Sequence, residues 1–173
     1  MIIYNQAFDY YHAIYRMIRL LTHVKKDSFV ELDRLRIWDF YLLFPEQIHS
    51  ISLKDGDQEI KDLRTRFVKQ RNNPYNQVFD NKKVFEKLRP YQLTALQCLA
   101  SYGIINKELL KENQVSVISR DVLKNYEGRF EELSYTEQNV ITMMVYHFAS
   151  ISMFGPDGLK SRTKLMVSKY DYQ

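Results

Sequence analysis

A chain of 173 residues with 45% hydrophobic and 27% charged side chains fits one globular domain that buries roughly two-thirds of its unfolded surface, so folding requires neither a disulfide nor a metal. A formal charge of +4 is too small for a protein dedicated to coating DNA, though its sign permits nucleic-acid contact. One cysteine, Cys98 in "LTALQCLASYG", excludes an internal disulfide and points to the cytoplasm. Aromatic content is high, with 13 Tyr and 10 Phe against 5 Gly. Tyrosine in that excess suits interfaces, because the ring buries area while the hydroxyl still finds a polar partner.

The first stretch, "MIIYNQAFDYYHAIYRMIRLL", shows neither a basic leader before an apolar core nor a small-residue cleavage site. Asp9, Arg16 and Arg19 interrupt any membrane span, so a soluble protein with no membrane partner is expected. Spacing of three and four predicts a helix over 7–23 with Ala7, Tyr11, Ile14, Met17, Ile18 and Leu21 buried and Arg16 and Arg19 off that face. "ELDRLRIWDFYLLFP" predicts a second helix, with Ser28 as N-cap, Glu31 completing a capping box, and Pro45 as its stop. Leu32, Leu35, Ile37, Trp38, Tyr41, Leu42 and Phe44 cover more than half its circumference, which demands cover on two sides. After a turn at Asp55-Gly56, a third helix is predicted from about Gln58 to Arg71, with Ile60, Leu63 and Phe67 inward and a break at Pro74.

Downstream, "NKKVFEKL" predicts a short helix, Pro90 opens the next, and Gly103 stands where a C-cap belongs. A run from Gln114 to Ile118 alternates Val and Ser, as a strand does. Helix, helix, then extended chain is the order of a winged helix. Ser134 with Glu137 forms another capping box ahead of "NVITMMVYHFASISMF", which is apolar nearly all round and is expected at the centre of the protein or its assembly. "GPDG" closes it, and "LKSRTKLM" follows as a basic amphipathic piece. The expected fold is mainly α, a single domain over 1–173 incorporating a winged-helix-like module with a short β wing. Its N-terminal helices lie in 1–72, the winged-helix-like part in 73–120 and the C-terminal helices in 121–173.

Patterns that carry chemistry are missing. His12, His23, His49 and His147 have no Cys or carboxylate at metal-site spacing. "KDGDQE" lacks the glycine position and distal glutamate of a calcium loop, and "GPDGLKS" lacks the spacing of a phosphate-binding loop. No catalytic residue, cofactor, metal or small-molecule substrate is assigned, and the chain is read as no enzyme; a hydrolase would survive only through a triad with no local signature. Lys61, Arg64, Arg66, Lys69 and Arg71 form a candidate DNA-facing surface, or equally a solvated face salt-bridged within its own helix.

Three stretches, "YNQAFDYYHAIYRMIRLL", "ELDRLRIWDFYLLFP" and "FGPDGLKSRTKLM", resemble in sequence and order the middle components of bacterial ABC-three-component systems, a group that includes the Lamassu anti-phage systems. The resemblance implies an accessory subunit. In such systems an SMC-like ABC ATPase senses DNA, an effector of the same operon, often a nuclease, does the damage, and the middle component connects them, with DNA reached through the complex. Candidate partner-facing residues in the matching stretches are Tyr4, Asn5, Phe8, Tyr11 and His12, and Asp157, Gly158 and Leu159; Phe8 and Tyr11 serve equally well as core, and 157–159 as a plain turn. The alternative function is a winged-helix DNA-binding transcriptional regulator, which predicts a symmetric dimer reading DNA with the 61–71 face or the helix from Pro90.

Overall fold

Short polar side chains start the first helix. Asn5 Oδ1 accepts the Ala7 N–H at 3.0 Å and caps a 3-10 turn over Gln6–Phe8, and Asp9 Oδ1 accepts the His12 N–H at 2.9 Å and caps α1 (Tyr10–Leu21). The computed structural model describes residues 5–69 and 80–166, without the Phe67 side chain; Tyr4, Arg71 and the expected break at Pro74 lie outside them. The fold is mainly helical, as the sequence implied, and the chain divides into two compact units. The first joins Met1–Phe40 to Lys87–Glu132, and the second joins Tyr41–Glu86 to Leu133–Gln173.

In the first unit the buried face of α1 centres on Ala13, Met17 and Leu20. That register turns Tyr11 outward, to 83% exposure, and brings Arg16 and Arg19 inward. The sequence reading had all three reversed. β1 (Val30–Glu31) runs antiparallel to β2 (Gln114–Val115), pairing Val30 with Val115. This pairing explains why Ser28 does not cap α2 (Leu32–Leu43): the chain there is extended, and the Ser28 hydroxyl donates to the Lys25 carbonyl at 2.7 Å. The Leu32 N–H is satisfied instead by the Asn113 carbonyl, at 2.8 Å.

Further along lies α4 (Asn81–Ser101), a single helix with Pro90 inside it, where two helices were expected. Proline takes the helical donor away from the Glu86 carbonyl, but burial of Leu88, Gln92, Ala95, Leu96 and Leu99 along one side outweighs that loss. Gly103, at φ +68°, ends it in a Schellman motif: Ile104 N–H bonds the Leu99 carbonyl and Gly103 N–H the Ala100 carbonyl. Asn106 Oδ1 then caps α5 (Lys107–Lys111), accepting from Glu108 and Leu109. Ile105 bridges Val117, and α6 (Arg120–Glu127) closes the unit with Leu123 inward. The strand expected over Gln114–Ile118 is thus reduced to two residues whose partner lies far upstream. A ribbon this short is common to many helical folds and does not by itself define a winged helix.

The second unit begins with Tyr41 at the end of α2. Pro45 opens a 3-10 helix over Pro45–Ser50, and α3 covers Gln58–Phe67, shorter than expected from the sequence. Both capping-box bonds are present at α7 (Tyr135–Thr142): Glu137 N–H to Ser134 Oγ at 3.2 Å and Ser134 N–H to Glu137 Oε2 at 2.8 Å. A π turn (Met143–His147) and a 3-10 turn (Phe148–Ser150) continue the path to α8 (Leu159–Thr163). The run expected to be buried all round is buried on one face only. Val140, Ile141, Met143, Met144, Phe148 and Met153 face inward, while Tyr146 and Phe154 are 66% and 60% exposed. The irregular turns decide this, since the wider π turn changes which residues share a face. α3 packs on α7, and Ile48, Ile60, Phe85, Leu159 and Leu165 complete the core.

Candidate functional site

Charge inside the first unit is tied into pairs. Arg16 Nε donates to Asp39 Oδ1 at 2.6 Å and Arg16 Nη2 to Asp39 Oδ2 at 3.3 Å. Gln92 Nε2 donates to Asp39 Oδ2 at 2.9 Å, and its Oε1 accepts from Arg36 Nε at 3.0 Å. Arg36 Nη1 in turn meets Asp33 at 3.2 Å. Arg19 lies 5.2 and 5.1 Å from the ring centres of Tyr15 and Phe130, hydrogen-bonds the Glu131 carbonyl and pairs with Glu127 at 3.6 Å. Glu31 holds Arg34 at 2.7 Å, and that bond keeps the Glu31 carboxyl below its ordinary range against the opposing effect of burial. Each of these groups has a partner within the unit, and the Arg16–Asp39–Gln92–Arg36 network ties α1, α2 and α4 together.

The histidines are likewise structural where their partners are seen. His23 Nδ1 lies 2.9 Å from the Arg19 carbonyl and His49 Nε2 2.7 Å from the Val68 carbonyl. A carbonyl only accepts, so each of those ring nitrogens carries its proton. Cys98 is half-buried on α4. Among the described residues no group of three or more His, Cys, Asp and Glu is placed to hold a metal, and no helix is long and apolar enough to cross a membrane.

The partner-facing candidates fall into different settings. Asn5 is exposed but occupied as a cap, Phe8 is half-buried against Tyr91 at 5.8 Å, Tyr11 projects, and His12 is half-buried. Tyr10, adjacent to Tyr11, leans on Tyr91 at 4.8 Å. Asp157 is exposed and ion-paired with Lys54, and its carbonyl accepts from Arg162 Nε at 2.7 Å. Gly158 is buried, and a Cβ there would stand 2.3 Å from the Phe154 carbonyl oxygen, so only glycine fits. Leu159 is fully buried. Arg162 also binds Asp57. Burial opposes ionisation of Asp57, but the Lys54 N–H and the Arg162 guanidinium outweigh it and hold its carboxyl below the usual range.

Along the basic face, Lys61 reaches Asp55 at 3.7 Å and Arg64 Nη1 lies 3.5 Å from the Ile51 carbonyl, whereas Arg66 and Lys69 are exposed. Half of the described cations there are engaged by the chain itself, which thins the surface available to phosphates.

Two surfaces of the first unit were not singled out from the sequence. On α6 and the residue before its cap, Ile118, Val122 and Tyr126 are 60%, 44% and 43% exposed. Val122 and Tyr126, four apart, are neighbours on the surface of α6 beside the buried Leu123, and Ile118 precedes the helix. Ile118 and Val122 also line a recess of about 510 Å³ shared with Lys26, Asp27 and Arg120. A second recess, of about 480 Å³, lies along α4 and α5 over Leu32. The periodicity of 118, 122 and 126 was visible in the sequence; what it lacked was knowledge that Leu123 already supplies the inward contact.

One family model, described as ABC-three component (ABC-3C) system Middle Component 5, matches residues 2–171. No curated protein and no solved structure matches the chain.

Proposed function

This chain belongs to the ABC-three-component middle component 5 family, with an accessory role in such a system, and we propose that it is the connecting subunit, non-catalytic and cytoplasmic. It docks on an SMC-like ABC ATPase and holds an effector, often a nuclease, inactive until foreign DNA is detected. Membership implies partner proteins. The observation that carries the docking role is the exposure of the apolar side chains Ile118, Val122 and Tyr126 close together in the chain on the first unit. Such exposure carries a cost in water that a partner's apolar surface removes. DNA reaches the protein through the assembly in this reading, consistent with the modest charge and the internally engaged cations Lys61 and Arg64.

The test is a tagged pull-down from cells expressing the genomic neighbours, with wild type beside a Val122→Asp/Tyr126→Asp variant. Both positions are exposed, so the variant should melt like wild type. Wild type is expected to retain a coiled-coil ATPase and an effector, and the variant to lose about tenfold or more of at least one of them. Recovery of wild type alone, as a monomer or homodimer, would overturn the proposal.

A further inference from the structure

The recess along α4 and α5 differs from the α6 surface in shape and charge. Leu93 and Ala100 of α4, Leu110 of α5 and Leu32 give it an apolar lining, and the two helices wall it on either side. Its ionisable lining residues are Lys107 and Lys111, with no aspartate or glutamate among the described residues that line it. Both lysines are exposed. They stand four residues apart on α5, the spacing of one helical turn. Lys111 is paired with Glu108 at 2.9 Å, a carboxylate outside the lining with which an incoming acidic group would share or exchange the lysine, and the pair is exposed enough to open readily.

We infer that this groove receives an amphipathic helix of a partner subunit, apolar residues inward and carboxylates spaced one turn apart against Lys107 and Lys111. A groove between two helices is the usual seat for such a helix, whose i, i+3, i+4 and i+7 residues drop into an apolar floor. A cationic rim on one wall selects an acidic flank and fixes the direction in which the helix lies. Nucleic acid suits the site less well, because two cations above a leucine floor offer little to a phosphate backbone. The inference rests on the connecting-subunit reading for the partner's existence, and it adds where one partner sits and what its docking segment is made of.

The experiment uses the full chain co-expressed with the neighbouring ATPase and effector, and compares wild type with Lys107→Glu/Lys111→Glu and with Ala100→Glu. Retention of one partner is expected to fall about tenfold in both variants. Raising the salt should weaken wild-type retention while leaving the charge-reversed variant nearly unchanged. Thermal melts verify folding; if Ala100→Glu unfolds, the double lysine variant, altered only at exposed positions, decides. Wild-type levels of both partners in the lysine variant would overturn the groove and leave the connecting role standing. Loss of duplex DNA binding with both proteins retained would overturn it in favour of a nucleic-acid site. Failure of wild type itself to hold any partner would bring down the connecting role and the groove with it.

Discussion

Among the described residues, Arg16, Arg19, Arg34, Arg36, Asp39 and Gln92 are the buried polar side chains of the first unit, whereas the second unit buries Thr163 and otherwise fills with Met143, Met144, Phe148, Ile48, Ile60 and their apolar neighbours. A desolvated ion network tolerates a single arrangement, because moving any member strands a charge. An apolar core rich in methionine is set by volume and accepts repacking, since the unbranched thioether adapts to irregular space. The unit that carries the apolar recess along α4 and α5 is the one whose interior is fixed by directional bonds. Surfaces that must present side chains in register benefit from such a base.

The comparison breaks first at Asp39. Replacing it by Ala leaves Arg16 buried without its carboxylate, and denaturant titration should show a loss of about 3–5 kcal/mol. Arg16→Met combined with Asp39→Leu should recover most of it, because the cost lies in the stranded charge rather than in the loss of a large net attraction. A double variant no better than Asp39→Ala would mean that the network acts through shape instead. In the second unit the sharpest expected effect is steric: Gly158→Ala drives a Cβ into the Phe154 backbone and should cost about 1–3 kcal/mol, read from the same titration. The smallest is Met144→Leu, a near-volume-conserving change at a fully buried site, expected to cost less than about 1.5 kcal/mol. A cost there as large as that of Asp39→Ala would erase the contrast between the two interiors.

What the sequence disclosed follows the range of the interaction responsible. The Ser134–Glu137 box, the Gly103 cap, the turn at Asp55-Gly56 and the stop before Pro45 depend on neighbours within a few residues, and all are where the spacing put them. Arg16 was misjudged because its partner, Asp39, lies on another helix, and a lone arginine beside an apolar stripe reads as solvated. Ser28 failed as a cap because Val30 is drawn into a strand by Val115. Pro90 read as a helix start for a sound local reason, which tertiary burial on both sides overrode. The matching stretches exposed the family, since an order of aromatic and apolar segments survives in the sequence itself. The recesses did not show: Leu93, Ala100 and Leu110 look like any inward leucine or alanine until the neighbouring helices are in place.

The threading of the chain sets a timetable for its synthesis. Met1–Phe40 emerges first with Arg16 and Asp39 already present, yet Gln92, β2 and α6, which complete that unit, follow only after the whole of Tyr41–Glu86. At about 5–20 residues per second, the early helices wait roughly 5–20 s on the ribosome with Trp38 and Phe40 uncovered. The intervening segment waits in turn for Met143, Met144 and Phe148. Neither compact unit is contained in one continuous segment of this chain, and long-range closure of this kind slows folding relative to a bundle of local hairpins. Co-translational encounter with a partner or chaperone would fall within that interval.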